Sequence, residues 1–431
     1  MDEQGRLRAP TAAAAPGDAV ARWIDHHAQP LWSLDPEAPL IDLRPLAPRL
    51  GRATVVGLGA TAGAHEPFLL RHRLARLLVE QLGFRAIALE EDWTKGIELD
   101  RWIRADGDGS DDDGAGDLRA LLVDAGLPWQ VEEIVDLLRW MRSFNRRHPG
   151  DPVRLVGADV VAVRAAAYDA VTAHVARVAP DRSAELAGHY GPLRPSGPIG
   201  AHIGRLRAQA DRRPFVDHAR AAFDLVDGLP ARRPGHDLAV QHARVVLGFH
   251  EHHAASEVGV RDRCLADTTS WWHAHTGAKV VFWAGNVHTA VADPLVVHRG
   301  DLPPASQVSA GAHLRARHGR AYRSVGVTFH HGAVNAGIPT APRPVPDPAP
   351  DFLEATLGGF GRGRGSYLLD LDVPQPGPVR AWLAPPLRAY AIGPSYDAAH
   401  PTDDAMSGPT PDTWFDVILH TPTATPTHVL R

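Results

Sequence analysis

Three segments of the chain end on groups that can move a proton or hold an anion. The apolar run Ala86–Leu89 leads into Glu90, Glu91 and Trp93. A second run, V-V-F-W-A-G, leads into Asn286 and His288, and the turn G-A-T-A-G-A at 59–64 delivers His65 and Glu66. Histidine changes charge near neutral pH, so His288 and His65 are candidates for proton transfer. His288 is the stronger of the two, because it follows a strand-like run beside an asparagine. Alternation along a strand sends Glu90 and Glu91 to opposite sides, and Glu90, next to Leu89, is the one expected to face a cleft. Arg73 and Arg261 sit in or beside apolar helical patterns and could grip a carboxylate or an oxyanion with a planar fork. Glu91, Asn286 and Trp93 complete the set as substrate-binding candidates. Each has a structural alternative: ion pairing for the arginines and glutamates, helix-start satisfaction for His65 and Glu66.

Chemistry at these positions needs elements that bring strand ends together. Thr54–Trp93 reads as a strand, a glycine turn, a helix over about Pro67–Leu82 and a second strand. Leu70, Leu74, Leu77, Leu78 and Leu82 recur at helical spacing, leaving Arg71, Arg73, Arg76 and Glu80 largely off the apolar stripe. Gly83 supplies the stop. Unalternated apolar strands suit a parallel sheet covered on both faces. Further strands are expected at Val153–Val160, Ala278–Asn286, Arg323–His331, Ser366–Leu371 and Trp414–His420, with mostly helical sequence over about 165–275. The pattern predicts an α/β fold: a central, mainly parallel sheet flanked by helices, with a helical insertion or cap. Residues 1–50 read as an N-terminal segment and 51–431 as the α/β domain. The loop Ala105–Asp117 is acidic, and Pro339–Pro350 reads as a linker.

Gly57, Gly59 and Gly63 imitate a dinucleotide fingerprint in the right context, but the spacing is loose and a tight strand-to-helix turn explains them as well. No cofactor is expected. His250, Glu251, His252 and His253 lack the spacing that sets two ligands on one helical face, and the neighbours His330 and His331 should point apart, so no metal site is expected. The 431 residues carry a net charge of -5 and 44% hydrophobic residues, with arginines scattered rather than clustered. That balance argues against nucleic acid as a partner and leaves a small molecule. No apolar run is long enough to span a membrane, and the start M-D-E-Q-G-R lacks the features of a secretory signal. With one cysteine, Cys264, no intramolecular disulfide can form, which fits a reducing cytoplasm.

Taken together, the segments resemble the erythromycin esterase family, whose pattern runs from a G-E-x-T-H-G turn through E-F-F-x-L-[KR]-H-R-L to A-x-E. Here the matching stretches are G-L-G-A-T-A-G-A-H-E-P-F-L-L-R-H-R-L, A-L-E-E-D-W, R-D-R-C-L-A-D-T-T-S-W-W from Arg261, and V-F-W-A-G-N-V-H ending at His288. G-A-H-L-R-A-R-H-G-R-A-Y-R-S-V-G-V-T-F-H-H-G from Gly311 and W-F-D-V-I-L-H near the end extend the resemblance. It implies hydrolysis of a macrolide or related natural-product ester or lactone by activated water without a required metal, with Glu90, His288, Arg73 and Arg261 at matching positions. The turn departs from the family. Ala60 or a gap stands for its Glu, Ala62 for its His, and Gly285 for the first His of H-N-x-H. Alanine cannot take a proton from water. Three readings remain open: hydrolysis with His65 or His288 as base, a non-hydrolytic cyclisation, elimination or rearrangement in the same pocket, and a binding protein without turnover.

Overall fold

The computed structural model describes residues 16–104, 115–230, 234–254, 259–300, 302–337, 340–361, 365–394 and 396–430. Most of the acidic loop Ala105–Asp117 therefore falls outside the described residues. Among those described, a nine-stranded sheet runs from the edge strand Gln29–Pro30 through Tyr367–Asp370, Val417–Ala424, Tyr322–Ala336, Val55–Ala60, Lys279–Gly285 and Phe84–Asp92 to Arg154–Asp159. The ninth strand, Ala341–Val345, pairs with the far end of Tyr322–Ala336. From Val417–Ala424 to Arg154–Asp159 every neighbouring pair is parallel. The fold is α/β, with helices on both faces of a mainly parallel sheet.

Burial explains the unalternated strands. All six residues of Val55–Ala60 are buried. Val56, Leu58, Ile87 and Leu89 pack with Leu70, Leu74, Ile134 and Leu138 on one face, while Val55, Ala86, Ala88 and Val156 pack with Val171, Val246 and Leu265 on the other. Period 2 survives as a choice between two cores rather than between core and water. The strand following the first helix is not the neighbour of the strand preceding it. Lys279–Gly285 lies between Val55–Ala60 and Phe84–Asp92, so the His288 segment lies between the glycine turn and Glu90.

Between Arg154–Asp159 and Lys279–Gly285 the described chain is helical, from Ala165–Val178 to Val260–Thr276. Residues 16–50, the described part of the N-terminal segment, are joined to the domain: Gln29–Pro30 extends the sheet edge, and Leu43, Leu46 and Leu50 enter the main core. Two expectations change. The proline-rich linker contains the strand Ala341–Val345, where Pro342 and Pro344 are tolerated because no strand among the described residues pairs beyond them. A separate four-stranded antiparallel sheet, Ala389–Tyr390, Ala405–Ser407, Leu295–Arg299 and Leu302–Gln307, has no counterpart in the sequence reading.

The glycine turn owes its composition to packing. A Cβ on Gly59 would stand 2.1 Å from Thr289 Oγ1 and 2.4 Å from Asn286 Oδ1, so this glycine admits the Asn286–Thr289 turn that carries His288. Gly63 has φ +74 and meets the Asn335 backbone. Gly59→Ala should therefore lose about 1–3 kcal/mol in urea unfolding through overpacking. Gly188→Ala, at an exposed position of the helix Ser183–Tyr190 with nothing within 4 Å of the new methyl, should gain up to about 1 kcal/mol.

Candidate active site

At the carboxyl ends of the parallel strands lies a cleft of about 720 Å³. This is where open α/β sheets receive ligands. Strand ends supply Glu90, Glu91 and Asp159, the turn after Lys279–Gly285 supplies Asn286 and His288, and the first turn of Val260–Thr276 supplies Arg261 and Asp262.

Arg261 is the hub. Its Nε donates to Asp159 Oδ1 at 3.0 Å and Oδ2 at 3.1 Å, its Nη2 to Glu90 Oε1 at 2.6 Å, and its Nη1 to His288 Nε2 at 3.2 Å. The second Glu90 oxygen accepts the Gly285 N–H at 2.8 Å, tying the acid to the segment that bears His288. His288 Nδ1 donates to Asp262 Oδ1 at 2.9 Å, which leaves the Nε2 lone pair toward Arg261 and Glu90. Asp262 is fixed in turn by the Ala310 N–H at 2.8 Å and by Gln307 Nε2 at 2.9 Å.

Burial opposes charge on Asp159, Arg261 and His288, and the partners outweigh it. The Asp159 carboxyl is held below its ordinary range by Arg261, and the Arg261 cation is strengthened by Asp159 and Glu90. Burial would lower His288, yet the carboxylates of Asp262 and Glu90 raise its pKa above the ordinary histidine value. Glu91 differs: burial pushes it up to about 7 although both its oxygens accept backbone N–H groups, from Asp92 at 2.8 Å and Gly126 at 2.6 Å.

Arg71, from the helix His65–Leu82, faces this cluster. It is buried between the rings of Phe68 and Trp283, 4.5 and 4.6 Å from their centroids, and forms no ion pair among the described residues. Its one hydrogen bond is a long one of 3.4 Å to the Ala284 carbonyl. Burial drags its pKa down to about 9, only partly offset by Glu90, so it still carries a proton at neutral pH. An unpaired cation in a low-dielectric wall is suited to bind developing negative charge. Asn286 anchors its amide on the Val327 carbonyl at 3.0 Å, leaving Oδ1 buried without a partner.

The sequence model of the erythromycin esterase family matches residues 79–424, well over half of the chain. The chain belongs to the erythromycin esterase family. A 139-residue stretch is 29% identical to erythromycin esterase type II of Escherichia coli, a match covering 32% of this chain and 31% of that protein. Three solved structures share the fold. A Bacillus cereus protein superposes with a TM-score of 0.80 at 22% identity, covering 96% of this chain and 99% of its own. A succinoglycan biosynthesis protein reaches 0.78 at 23% identity over 96% and 98%. A mutant of erythromycin esterase EreC in its open conformation reaches 0.72 at 17% identity, over 92% and 98%.

Against this family background, the structure gathers His288, Glu90, Glu91, Asn286 and Arg261 at the cleft. Glu90 and Glu91 both line it, because a register shift between Leu89 and Asp92 breaks strand alternation. Four expected residues lie elsewhere. His65 turns to Glu133 and His428, with its Nδ1 2.6 Å from Glu133 Oε1, and Glu66 accepts from the Thr425 N–H and hydroxyl. Trp93 is buried, with its Nε1 donating to His242 at 3.1 Å. Arg73, 0% exposed, forms a bidentate pair with Asp42 at 2.8 and 2.9 Å. The helix is therefore buried around most of its girth rather than along one stripe, since the N-terminal segment covers its outer face.

Asp159, Asp262 and Arg71 are candidate functional positions that the sequence pattern alone does not single out. Asp159 stands at the end of the strand expected over 153–160 and Asp262 directly follows Arg261, so position at a strand end and adjacency to a candidate are the signals that mark both. Groups of His, Asp and Glu close enough to share an ion lie away from the cleft, at His65, Glu133 and His428 and at His330, His331 and Asp347. The last group corrects the expectation that His330 and His331 point apart: their Nδ1 atoms are 2.9 Å from each other, beside the glycine irregularity at Gly332.

Removing one partner of a buried ion pair leaves a charge uncompensated, at a cost of about 3–5 kcal/mol. Asp42→Asn should destabilise by that amount in urea while kcat of the folded fraction is unchanged, since neither Asp42 nor Arg73 touches the cleft.

Proposed function

We propose that the protein hydrolyses an ester or lactone of a natural product, a macrolide-type compound being the class its relatives' names suggest, with His288 as the base. The observation that carries this reading is the Asp262–His288 pair. A buried carboxylate holds Nδ1–H, so Nε2 is the atom that presents a lone pair at the cleft. The erythromycin esterase membership of the chain and the name of its Escherichia coli relative support the reaction class.

In the proposed step a water oxygen attacks the ester carbonyl as His288 Nε2 takes its proton. Arg71 receives the developing oxyanion in a wall where water does not screen it. The imidazolium, stabilised by Asp262, then passes the proton to the leaving alkoxide, giving acid and alcohol. Glu90 acts as a positioning residue, because one oxygen is committed to Arg261 and the other to the Gly285 N–H. Arg261 in turn supports the tautomer by donating to Nε2 at rest and gives way to the attacking water. With alanines at 60 and 62 the glycine turn contributes shape, not a proton acceptor.

His288→Ala should lower kcat by roughly 10²- to 10⁴-fold, the usual worth of a positioned base. Solvent ¹⁸O should appear in the product acid. A product lacking solvent oxygen would assign the cleft to elimination or rearrangement instead.

The pH profile tests Asp262 separately. A base works deprotonated, and the His288 pKa lies above 6.5, so the acid limb of kcat/KM should fall above the ordinary histidine value. Asp262→Asn removes the carboxylate but not the burial, and the limb should move to lower pH. An unmoved limb would show that His288 is not the titrating base.

A further inference from the structure

His65, Glu133 and His428 come from three distant parts of the chain and converge away from the cleft. His65 opens the helix His65–Leu82, Glu133 lies in the first turn of Glu132–Arg147, and His428 lies in the C-terminal segment. Both imidazoles aim Nδ1 at one carboxylate oxygen: Glu133 Oε1 is 2.6 Å from His65 Nδ1 and 2.9 Å from His428 Nδ1. The three donor atoms lie within 4.8 Å of one another, and the two rings meet edge-on at 4.8 Å. The Glu133 side chain is only 4% exposed, whereas that of His428 is 65% exposed, so the site is rooted in the core and open to ions from one side.

We propose that His65, Glu133 and His428 form a binding site for a divalent transition ion of the zinc class. Two neutral imidazoles and one carboxylate are the borderline-soft donor set that suits such an ion, and ligand bonds of about 2.0–2.2 Å fit donors at these separations after small side-chain rotations. The ion replaces the two hydrogen bonds to Glu133 Oε1, and water takes the remaining position on the exposed side. Asp136, one helical turn beyond Glu133, adds negative charge felt at His65, which favours a dication.

The ion would act as a clasp. The C-terminal segment already threads between the two helix starts: the His65 N–H donates to the Thr425 carbonyl and the Glu132 N–H to the His428 carbonyl, each at 2.8 Å. The Thr427 N–H reaches the Gly63 carbonyl at 3.1 Å, and isolated bridges join Ala64 to Pro426 and Val131 to Val429. Ala60, Thr61 and Ala62, just before this junction, line the cleft. Binding at the clasp thus secures the turn that walls the cleft, while the ion stays out of the reacting groups.

The test uses the full chain without a histidine tag, dialysed against a chelator and titrated with zinc chloride by calorimetry, metal analysis and thermal unfolding. The expected result is retention of about one zinc per chain and a higher Tm with the ion than without it, since an ion that binds only the folded state stabilises it. His428→Ala, at an exposed position that leaves the core intact, should lose both the retained ion and the Tm increment. Glu133→Gln should do the same, and His331→Ala, in the other histidine group, should keep both. Failure of the wild-type protein to retain zinc, or retention and stabilisation undiminished in His428→Ala, would overturn the proposal. None of these readouts depends on the hydrolytic reading of the cleft.

Discussion

A single guanidinium organises the cleft. Arg261 reaches from the start of one helix to Asp159 and Glu90 on two strand ends and to His288 after a third. Burying so many charges is costly, and the cost is met only while every partner is present and every hydrogen bond is made. The arrangement is therefore coupled: Glu90 depends on Arg261, Arg261 on Asp159, and the His288 segment on Glu90 through the Gly285 N–H. The two remaining anchors, Asp262 and Arg71, act from outside this hub. One orients the imidazole from behind and the other brings a cation from the opposite helix.

The second constraint is space at the sheet centre. Lys279–Gly285 occupies the slot between the strand before the glycine turn and the strand ending in Glu90. For the turn after it to enter, the facing strand must lack a side chain at Gly59. The glycines that imitate a phosphate cradle are thus explained by close backbone approach. The alanines at 60 and 62 line the same cleft as Glu90 and His288.

Legibility in the sequence followed the range of the interactions. The helix 65–82, its glycine stop and the main parallel strands were readable because periodicity, capping and double-faced burial are local or nearly so. Glu90, Glu91, Asn286, His288 and Arg261 were readable as chemical groups at element ends. Arg71 and Arg73 were not separable by pattern: two positions apart on one helix, one is neutralised by Asp42 and the other is left unpaired in the cleft wall. The linear pattern puts His65 and Glu66 near the strand ends, yet the C-terminal segment claims both. The Ala341–Val345 strand was masked by its prolines, which only an edge position permits.

By itself the sequence determined which segments could become buried strands and helices, and it placed ionisable groups where such elements end. It also showed the family pattern and the missing acid and base in its turn. The tertiary structure decided strand order, and with it which ends became neighbours. It decided as well which arginine was ion-paired and which, among the described residues, was not, that a bulge turned both Glu90 and Glu91 to the cleft, and that two histidines and a glutamate met at the C-terminal segment. The physical reason is the same in each case. Charge pairing, packing clearance and shared coordination depend on distances across the fold, and spacing along the chain carries no record of them.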